Sequence, residues 1–334
     1  MNLPAIRRLM RRSRRSHKGQ HGHVLVIGGS EDYVGTLAFV GLAALRAGCD
    51  LVTIAAPEKV AWAINCSSPD LITKKLPGKF LAPGHLKLVA PLLRTCDVLA
   101  VGNGAGLRKE TKAFFRKLMK TTRGMPKVID ADAIKALSLQ EIENAIITPH
   151  AAELQLLLRN SGLSQLSRVG SVSRKAQALR RCAGSNVLLL KGPADYLVSR
   201  TMVKKVTGGN PGMARGGMGD VLAGLCAGFL AQAVAREKVS FASGGRGARR
   251  GQQARTARTT AQTTPSGAIT SDLMRSAEAA SFINKRIGDL LLKKKRGYSF
   301  IAGDVVEEMR IRLGRAIKGF ARDLLLESRK AKSR

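Results

Sequence analysis

The sequence predicts an α/β protein with a mostly parallel β-sheet and helices on both faces of that sheet. Short apolar runs that contain β-branched residues alternate with helix-length segments from residue 23 onward. Strands that alternate with helices form parallel sheets, and continuous apolar runs are typical of strands that are covered on both faces. In such sheets a ligand lies beyond the carboxyl ends of the strands, so we expect functional residues in the turns that follow them.

The predicted elements follow each other in a regular order. The first strand spans His23–Ile27 and ends at two glycines, the first helix spans residues 36–47, and the second strand spans residues 51–55. Further strands are predicted at Val98–Val101, Lys127–Ile129, Ala145–Ile147 and Val187–Leu190. Further helices are predicted at residues 109–120, 151–159, 174–182, 272–292 and 304–317.

The composition indicates a globular protein with a strong positive charge. Hydrophobic residues are 44% of the chain, enough for a large core, whereas aromatic residues are only 4%, which argues against a stacking platform for single-stranded nucleic acid. Lys and Arg number 57 against 23 Asp and Glu, so the formal net charge is +34. This charge favours polyanionic partners, either a nucleotide or the backbone of a nucleic acid.

Three basic segments depart from the α/β pattern. Residues 1–15 form a basic arm and residues 321–334 a basic tail, which leaves residues 16–320 as the folded domain. Residues 238–271 are rich in Gly, Ala, Ser, Thr and Gln and contain no acid, which predicts a loosely ordered basic insert. The arm and the insert have the charge to neutralise backbone phosphates, so non-specific nucleic-acid binding stays open as an added property or an alternative function.

The cysteines and the apolar runs indicate a cytoplasmic protein that does not enter a membrane. The five cysteines are widely spaced without a Cys-x-x-Cys pair, so neither a zinc site nor a disulfide framework is expected. The longest apolar run, residues 221–235, is shorter than the roughly 20 residues that a spanning helix needs. The basic N-terminus has no apolar stretch of the kind that a secretory signal requires.

The strongest chemical signal is the glycine-rich turn at residues 208–220, which leads into an apolar helix. Glycines let backbone N–H groups approach a ligand, and several such groups at a helix N-terminus form an anion site. Asp220 closes the turn. The helix dipole stabilises a carboxylate at this end, so we expect Asp220 to be an ionised base that deprotonates a hydroxyl beside a bound phosphate. An Asp that merely caps a helix is the alternative, which the density of glycines disfavours.

A second candidate is the turn Lys-Gly-Pro-Ala-Asp at residues 191–195, directly after the strand Val187–Leu190. A lysine at the carboxyl end of a strand can reach a nucleotide phosphate, and a following glycine clears space for the ribose or the base. An ordinary strand-ending turn explains the spacing equally well, so both interpretations stay open.

A third candidate is Thr-Pro-His-Ala-Ala-Glu at residues 148–153, after the strand Ala145–Ile147. His150 and Glu153 are three residues apart at a helix start and can share a face. Such a pair can orient a polar substrate or a water molecule bound to a metal. The alternative, Glu153 as a helix-entry charge only, is equally consistent with the sequence.

Two further turns and one acidic pair lie at the same predicted edge. Residues 102–106 (Gly-Asn-Gly-Ala-Gly) are too short for a dinucleotide fingerprint, and residues 28–36 lack the lysine of a P-loop. Asp130 and Asp132 follow the strand Lys127–Ile129 and are candidates to hold Mg²⁺ through water. Because all of these turns follow strands, one cleft is expected to gather them.

Together the motifs resemble the ADP/ATP-dependent NAD(P)H-hydrate dehydratase family of the ribokinase-like superfamily. The most specific match is Asn-Pro-Gly-Met-Ala at residues 210–214 with Gly-Gly-Met-Gly-Asp-Val-Leu-Ala-Gly at residues 216–224. The other matching motifs occur in the family's order, at residues 17–19, 23–30, 128–132, 148–153 and 191–192, with a looser match at 279–289 and 304. The resemblance extends from residue 16 to about residue 309, apart from the insert.

The resemblance implies a ribokinase-like fold and a carbon–oxygen lyase that repairs the S-epimers of hydrated NADH and NADPH. In this family the hydroxyl at C6 of the nicotinamide ring is phosphorylated from ADP or ATP with Mg²⁺, and phosphate is then eliminated, which leaves AMP or ADP. The family also suggests a homo-oligomer. The implied site consists of the base Asp220; the anion hole Gly216, Gly217 and Gly219; the nucleotide-binding residues Lys191, Gly192, Pro193, Ala194, Asp195, Asn210 and Gly219; and the hydrate-binding residues Thr36, Gly104, His150, Glu153 and Asp220.

The sequence also departs from the family pattern. Arg215 and Met218 stand where the family usually has Thr, Asn103 replaces the Pro of a Gly-Pro-Gly motif, Thr36 replaces a small residue, and Lys285 replaces a Gly. These changes leave the base and the anion hole in place and bear on the hydrate pocket. A ribokinase-like kinase of a small hydroxylated metabolite, such as a hydroxymethylpyrimidine or thiazole, would use Asp220 identically and is the same-class alternative.

Overall fold

The computed structural model describes residues 12, 15–244, 266–295 and 297–315. Within these residues a nine-stranded sheet has the strand order β3-β2-β1-β4-β5-β6-β7-β8-β9. The strands are β1 His23–Ile27, β2 Leu51–Pro57, β3 Ile72–Leu76, β4 Val98–Val101, β5 Lys127–Ile129, β6 Ala145–Ile147, β7 Val187–Leu190, β8 Asp195–Val198 and β9 Val203–Val206. Strands β1 to β7 are parallel to their neighbours, and β8 and β9 add an antiparallel edge.

Helices cover both faces of the sheet. They are α1 Gly35–Ala47, α2 Glu58–Ser67, α3 Leu86–Leu93, α4 Lys109–Thr121, α5 Asp132–Ala136, α6 Ala151–Asn160, α7 Val172–Leu179, α8 Met218–Gly244, α9 Ser266–Lys295 and α10 Ala302–Arg315. Helix α8 packs against α1 and α9 on one face, and α6 packs against α5 on the other. The α/β fold with helices on both faces of a mostly parallel sheet is therefore confirmed.

The alternation of side chains along each strand produces two hydrophobic cores, one on each face. In β1, Val24 and Val26 belong to the core beneath α1, α8 and α9, whereas Leu25 and Ile27 belong to the core beneath α4 and α6. All four side chains have no exposed surface. Because both sets must be apolar, the central strands are continuous hydrophobic runs rather than alternating ones.

Close contact between α1 and α8 explains why α8 is rich in small residues. A Cβ atom at Gly224 would lie 2.2 Å from the carbonyl oxygen of Val40, and one at Gly228 would lie 2.5 Å from that of Ala44. No side chain larger than hydrogen fits these positions, so the two helix backbones touch. This contact fixes the end of α8 that begins at Met218, and with it the position of Asp220.

The apolar stretch of α8 is longer than the sequence indicated. Residues Met218–Lys238 form 21 helical residues that are long and apolar enough to cross a membrane, so the expectation that this segment is too short to span one was wrong. However, 89% of the most apolar window is buried inside the protein. The helix is apolar all round because it lies between the sheet, α1 and α9.

The strands and helices predicted before residue 192 are present, with ends that differ by one or two residues in most cases. Strand β3 and the hairpin β8–β9 were not predicted, nor were α2, α3 and α5. The predicted insert is wrong at its two ends, because α8 continues to Gly244 and α9 begins at Ser266. Residues 245–265, most of the basic arm and the whole of the basic tail lie outside the described residues.

Candidate functional site

The candidate site lies at the carboxyl edge of the sheet, where the strand order changes direction. The chain proceeds from β1 to β2 and β3 on one side, and from β4 onward on the other side of β1. The turns after β1 and β4 are joined there, because Gly102 N donates to Ile27 O over 3.1 Å and Gly29 N donates to Asn103 O over 2.9 Å. A crevice at such a switch point is the usual ligand site of an open α/β sheet.

Asp220 lies in the first turn of α8 and is 9% exposed. Its Oδ1 accepts a hydrogen bond from Asn103 Nδ2 over 2.7 Å. Burial raises the pKa of Asp220 to about 7, and the hydrogen bond from Asn103 only partly opposes this. Burial therefore opposes the ionisation of Asp220 that the helix terminus was expected to favour, and its role as an ionised base stays a prediction. A carboxyl group with a pKa near neutrality is suited to accept a proton during a reaction.

Asp130 lies at the centre of a buried hydrogen-bond cluster and is 2% exposed. Its Oδ2 accepts from Asn103 over 2.8 Å, and its Oδ1 accepts from Thr148 Oγ1 over 2.6 Å and from Lys191 Nζ over 3.1 Å. Asn103, Asp130, Thr148 and Lys191 follow β4, β5, β6 and β7 respectively, and these four strands are adjacent in the sheet. The turns that sequence reasoning singled out separately are thus connected by hydrogen bonds.

Lys191 is the cation of this cluster. Its ammonium is 3.1 Å from Asp130 Oδ1 and 3.5 Å from Glu153 Oε2, and its side chain is 20% exposed. Burial alone would lower the pKa of Lys191, but the two carboxylates outweigh burial and raise that pKa. Lys191 is therefore held as an ammonium that can contact an anion.

The glycines of the implied anion hole differ in their surroundings. Gly217 has φ +84° and packs so closely that an added Cβ would lie 2.7 Å from the Cβ of Ala302. Gly219 faces the cluster, since an added Cβ would lie 3.5 Å from Lys191 Nζ. Gly216 has nothing within 4 Å of such an atom and is exposed. Of the three, Gly219 is the one that the structure brings to Lys191.

The turn at residues 191–195 is held from outside by α9. Asp195 is 4% exposed and accepts from Gly192 N over 3.0 Å, from Ser281 Oγ over 2.7 Å and from Lys285 Nζ, which lies 3.2 Å from Oδ1. Lys285 also donates to the carbonyl oxygens of Gly192 and Pro193 over 2.9 and 3.3 Å. Lys285, which stands where the family has Gly, therefore stabilises this turn.

Asn210 orders the first half of the glycine-rich turn. Its Oδ1 accepts from Gly212 N over 3.1 Å, and its amide group donates to Asp289 Oδ1 over 3.4 Å. Asp289 also accepts from Gly209 N over 3.0 Å. Asn210 therefore connects the turn to Asp289 on α9. Its contact with a nucleotide stays a prediction.

His150 and Glu153 are in contact but occupy different environments. His150 is the N-cap of α6, where its Nδ1 accepts from the N–H groups of Ala152 and Glu153 over 3.2 and 3.4 Å. Its Nε2 is 3.4 Å from Glu153 Oε1, and its side chain is 52% exposed, whereas that of Glu153 is 5% exposed. Glu153 is therefore buried and forms an ion pair with Lys191. His150 is the exposed member of the pair, and it can reach a ligand.

Thr36 and Gly104 meet beside Asn103. A Cβ at Gly104 would lie 2.5 Å from Thr36 Oγ1, and Gly104 has φ +63°. Thr36 Oγ1 donates to Tyr33 O over 3.1 Å, and Tyr33 itself is 56% exposed. The structure thus brings together two residues of the implied hydrate site, next to the Asn103 that contacts Asp220. Their contact with a substrate stays a prediction.

Asp130 and Asp132 do not fit a magnesium ion that they hold directly. Both oxygens of Asp130 accept hydrogen bonds within the cluster, and Asp132 accepts from Gly106 N and Lys135 Nζ, each over 2.8 Å. Among the described residues no group of three or more His, Cys, Asp or Glu side chains is placed to hold a metal ion. The predicted pair is therefore committed to internal partners, and Mg²⁺ at this point stays a prediction.

The departures at Arg215 and Met218 have structural roles. The guanidinium of Arg215 donates to Phe300 O over 3.2 Å, which ties the turn to the residues before α10. Met218 is 4% exposed and belongs to the core beneath α8. Neither contact changes Asp220 or Gly219.

Sequence reasoning assigned no role to Asn103, Ser281, Lys285 or Asp289, all of which hold the site together. Asn103 carried a signal, because it is a polar side chain between two glycines directly after a buried strand. The other three lie on α9, where polar residues at helical spacing do not by themselves differ from a solvated face.

The chain is similar to known proteins in sequence and in fold. The family model for NAD(P)H-hydrate dehydratase matches residues 24–308. The bifunctional NAD(P)H-hydrate repair enzyme of Pyrobaculum aerophilum is 37% identical over 309 residues, which are 92% of this chain and 52% of that protein. The ADP-dependent (S)-NAD(P)H-hydrate dehydratase of Cenarchaeum symbiosum is 34% identical over 225 residues, which are 66% of this chain and 77% of that protein. The chain spans about half the length of the bifunctional relatives that it matches.

Solved structures are similar in fold. A hypothetical protein of Streptococcus mutans has a TM-score of 0.71 with 23% identity, covering 95% of this chain and 99% of the other. The ADP/ATP-dependent NAD(P)H-hydrate dehydratase of Bacillus subtilis, co-crystallised with ATP and Mg²⁺, has a TM-score of 0.67 with 18% identity, covering 94% and 97%. The predicted ribokinase-like fold agrees with these similarities, which include a ribokinase-like protein of Enterococcus faecalis at a TM-score of 0.70 with 20% identity, covering 95% of each chain.

Proposed function

The chain belongs to the NAD(P)H-hydrate dehydratase family, and we propose that it dehydrates the S-epimers of hydrated NADH and NADPH at the expense of a nucleotide, ADP or ATP. The observation that carries the proposal is the buried carboxyl of Asp220 at the start of α8, with its raised pKa, beside Lys191 and the open face of Gly219. This arrangement supplies a base and an anion contact within one cluster.

In the first step Asp220 accepts the proton of the C6 hydroxyl of the hydrate. The hydroxyl oxygen attacks the terminal phosphorus of the nucleotide, a new oxygen–phosphorus bond forms, and the bond from phosphorus to the bridging oxygen breaks. ADP leaves AMP in this step, and ATP leaves ADP. The ammonium of Lys191 and the N–H groups at the start of α8 stabilise the charge on the transferring phosphoryl group.

In the second step the phosphorylated hydrate loses phosphate. The lone pair of the ring nitrogen forms a double bond to C6 as the bond from C6 to the phosphate oxygen breaks, and loss of the proton at C5 restores the dihydropyridine. Phosphate is a far better leaving group than hydroxide, which is why the nucleotide is needed. Neither electrons nor a redox partner are required.

Different residues of the cluster are proposed to bind the two substrates. We propose that the nucleotide binds to Lys191, Gly192, Pro193, Ala194, Asn210 and Gly219, in the two turns that α9 holds. Asp195 supports the first of these turns and does not contact the nucleotide, since its oxygens already accept from Gly192, Ser281 and Lys285. We propose that the hydrate contacts Thr36, Gly104, His150 and Asp220. Glu153 contributes by holding Lys191. No step is assigned to Mg²⁺ through Asp130 and Asp132, whose oxygens are already bonded.

The test is a repair assay that follows the return of absorbance of the reduced nicotinamide. Purified full-length protein is incubated with S-hydrated NADH or NADPH and either ADP or ATP, and the released nucleotide and phosphate are quantified. We expect restoration of the reduced cofactor with one phosphate released per turnover. Asp220→Asn is expected to lower kcat by about 10²- to 10⁴-fold, since the general base is removed. The exposed Asp70→Asn serves as the control and is expected to keep full activity.

Two outcomes contradict the proposal. If the reduced cofactor does not return with either nucleotide while hydroxymethylpyrimidine or a thiazole alcohol is phosphorylated, the protein is a kinase of the same superfamily. If Asp220→Asn repairs the hydrate at the rate of the unaltered protein, Asp220 is not the base.

A further inference from the structure

Asn103 transfers no proton in the proposed reaction, yet its side chain contacts the base Asp220 directly. It is 1% exposed, and its two amide N–H groups are shared between two carboxylates. Nδ2 lies 2.7 Å from Asp220 Oδ1 and 2.8 Å from Asp130 Oδ2. An amide nitrogen carries two hydrogens, so its donor capacity matches these two acceptors.

The orientation of this amide follows from its surroundings. In the reversed orientation the amide oxygen would face two carboxylates, which are acceptors when ionised, and both contacts would be repulsive. The backbone is fixed as well, because Asn103 O accepts from Gly29 N over 2.9 Å and Gly102 N donates to Ile27 O. The side chain is therefore aimed at Asp220 by the strands β1 and β4 on either side of the crevice.

Other charged groups face Asp220 from the neighbouring elements, and some favour its ionisation whereas others oppose it. The carboxylates of Asp130, after β5, and Glu153, on α6, oppose ionisation of Asp220, whereas Lys191, after β7, favours it. The hydrogen bond from Asn103 is the largest influence that favours ionisation. A bound nucleotide would add further negative charge close by, so the base needs a donor that stays in place.

We propose that Asn103 is a positioning residue that holds Asp220 as a carboxylate aimed at the substrate and joins it, through Asp130, to Lys191. This proposal rests on the proposed function. In the first step the proton from the substrate hydroxyl binds to the free oxygen of Asp220, and the amide of Asn103 keeps its bond to Oδ1. Base and nucleotide-binding lysine are thereby held at a fixed separation by one continuous hydrogen-bond chain.

The variant Asn103→Leu removes both donors with little change in volume. Loss of a hydrogen bond to a carboxylate raises the pKa of that carboxyl group by about one to two units. We therefore expect the acidic limb of the profile of kcat/KM against pH to move upward by about that amount, and kcat at pH 7 to fall about tenfold or more, while the KM for ADP changes less than about twofold. Asn103→Asp keeps the shape and is expected to move the limb in the same direction.

The matched control is Asn186→Leu. Asn186 is also buried, at 2% exposed, and its amide bonds to the backbone of Ala145 and Ile142 at the opposite edge of the sheet. A purely structural amide of this kind is expected to lower the melting temperature without moving the pH profile. If the proposal is correct, Asn103→Leu differs from Asn186→Leu because the acidic limb of its profile of kcat/KM against pH moves upward.

A readout without turnover separates this proposal from the proposed function. With aspartate labelled with ¹³C at the carboxyl carbon, the resonance that Asp220→Asn removes is titrated in the unaltered protein and in both Asn103 variants. An upward shift of that titration supports the proposal even if no hydrate is repaired. Titration and pH profile identical to those of the unaltered protein, in folded Asn103→Leu and Asn103→Asp, would overturn it.

Discussion

The two edges of the sheet use aspartate in opposite ways. At the amino edge, Asp50 and Asp97 precede β2 and β4 and accept hydrogen bonds from backbone N–H groups at the entry to β1, over 2.8 to 2.9 Å. Their cations are Arg12 and Lys238, whose side chains are 46% and 64% exposed. These acids hold the backbone at the entry to β1, and exposed cations neutralise their charge.

At the carboxyl edge, Asp130 and Asp220 accept from side chains instead. Their partners are Asn103, Thr148 and Lys191, and the cation is only 20% exposed. The donors here are side chains that follow several strands, and they leave one oxygen of Asp220 available to a substrate. Backbone N–H groups that bonded to both oxygens of Asp220 would not leave one available. A structural carboxylate is therefore distinguished from a reactive one by the groups that surround it and not by its position at a strand end.

The largest expected difference between the edges is the effect of removing the cation. Lys191→Met leaves Asp130 and Glu153 buried without their ammonium, and breaking a buried pair costs about 3–5 kcal/mol. Lys238→Met removes the cation of an exposed pair, for which about 1 kcal/mol or less is expected. Urea unfolding without nucleotide at pH 7 measures both. Equal losses in the two variants would remove the distinction between the edges.

A second difference concerns the dependence of stability on pH. Asp220 has a pKa of about 7 in the folded protein against an ordinary value of 3.8, so the folded state holds this proton more tightly than the unfolded state. The resulting stability is complete below pH 3.8 and is lost as the pH rises through about 7. Asp220→Asn, which cannot ionise, is therefore expected to gain about 2–3 kcal/mol relative to the unaltered protein between pH 5 and pH 9.

Urea unfolding at several pH values checks this expectation, with Asp97→Asn at the amino edge as the control. Asp97 accepts from His23 N and Lys238 Nζ, so its replacement weakens two contacts and is not expected to stabilise the protein at pH 9. A stability difference between Asp220→Asn and the unaltered protein that stays constant from pH 5 to pH 9 would contradict the raised pKa.

The central sheet could be predicted from the sequence because its strands are buried on both faces and are apolar at most positions. Strand β3 was missed because it lies at the edge, where Lys74 and Lys75 replace the hydrophobic run. Strand β9, at the other edge, contains Lys204 and Lys205 for the same reason. Edge strands face solvent, so their polar residues conceal the pattern on which the prediction depends.

The turns of the site were predictable, but their contacts were not. Asn103 and Asp220 are 117 positions apart, and they meet only because β4 and β5 are neighbours beneath the start of α8. The sequence supports a local argument, in which a helix terminus favours the carboxylate. The opposite shift of the pKa of Asp220 arises from burial by distant elements, which no local pattern contains.

The smallest of the expected effects distinguishes positions within the carboxyl edge itself. In Gly219→Ala the new methyl group lies 3.5 Å from Lys191 Nζ and 4.0 Å from Asp130 Oδ2, which are ordinary contacts, so the fold tolerates it. The methyl occupies the space over the ammonium where a phosphate would bind, and we expect the KM for ADP to rise about tenfold, a loss of about 1.4 kcal/mol in binding.

Gly216→Ala is the matched control, because it lies three residues away in the same turn and its added methyl meets nothing within 4 Å. The KM for ADP should then change less than about twofold, and both variants should keep the melting temperature of the unaltered protein within a few degrees. If the two substitutions raise the KM equally, the anion does not bind over Lys191. The turn would then act as a whole, and the contrast between the edges would rest on Asp220 alone.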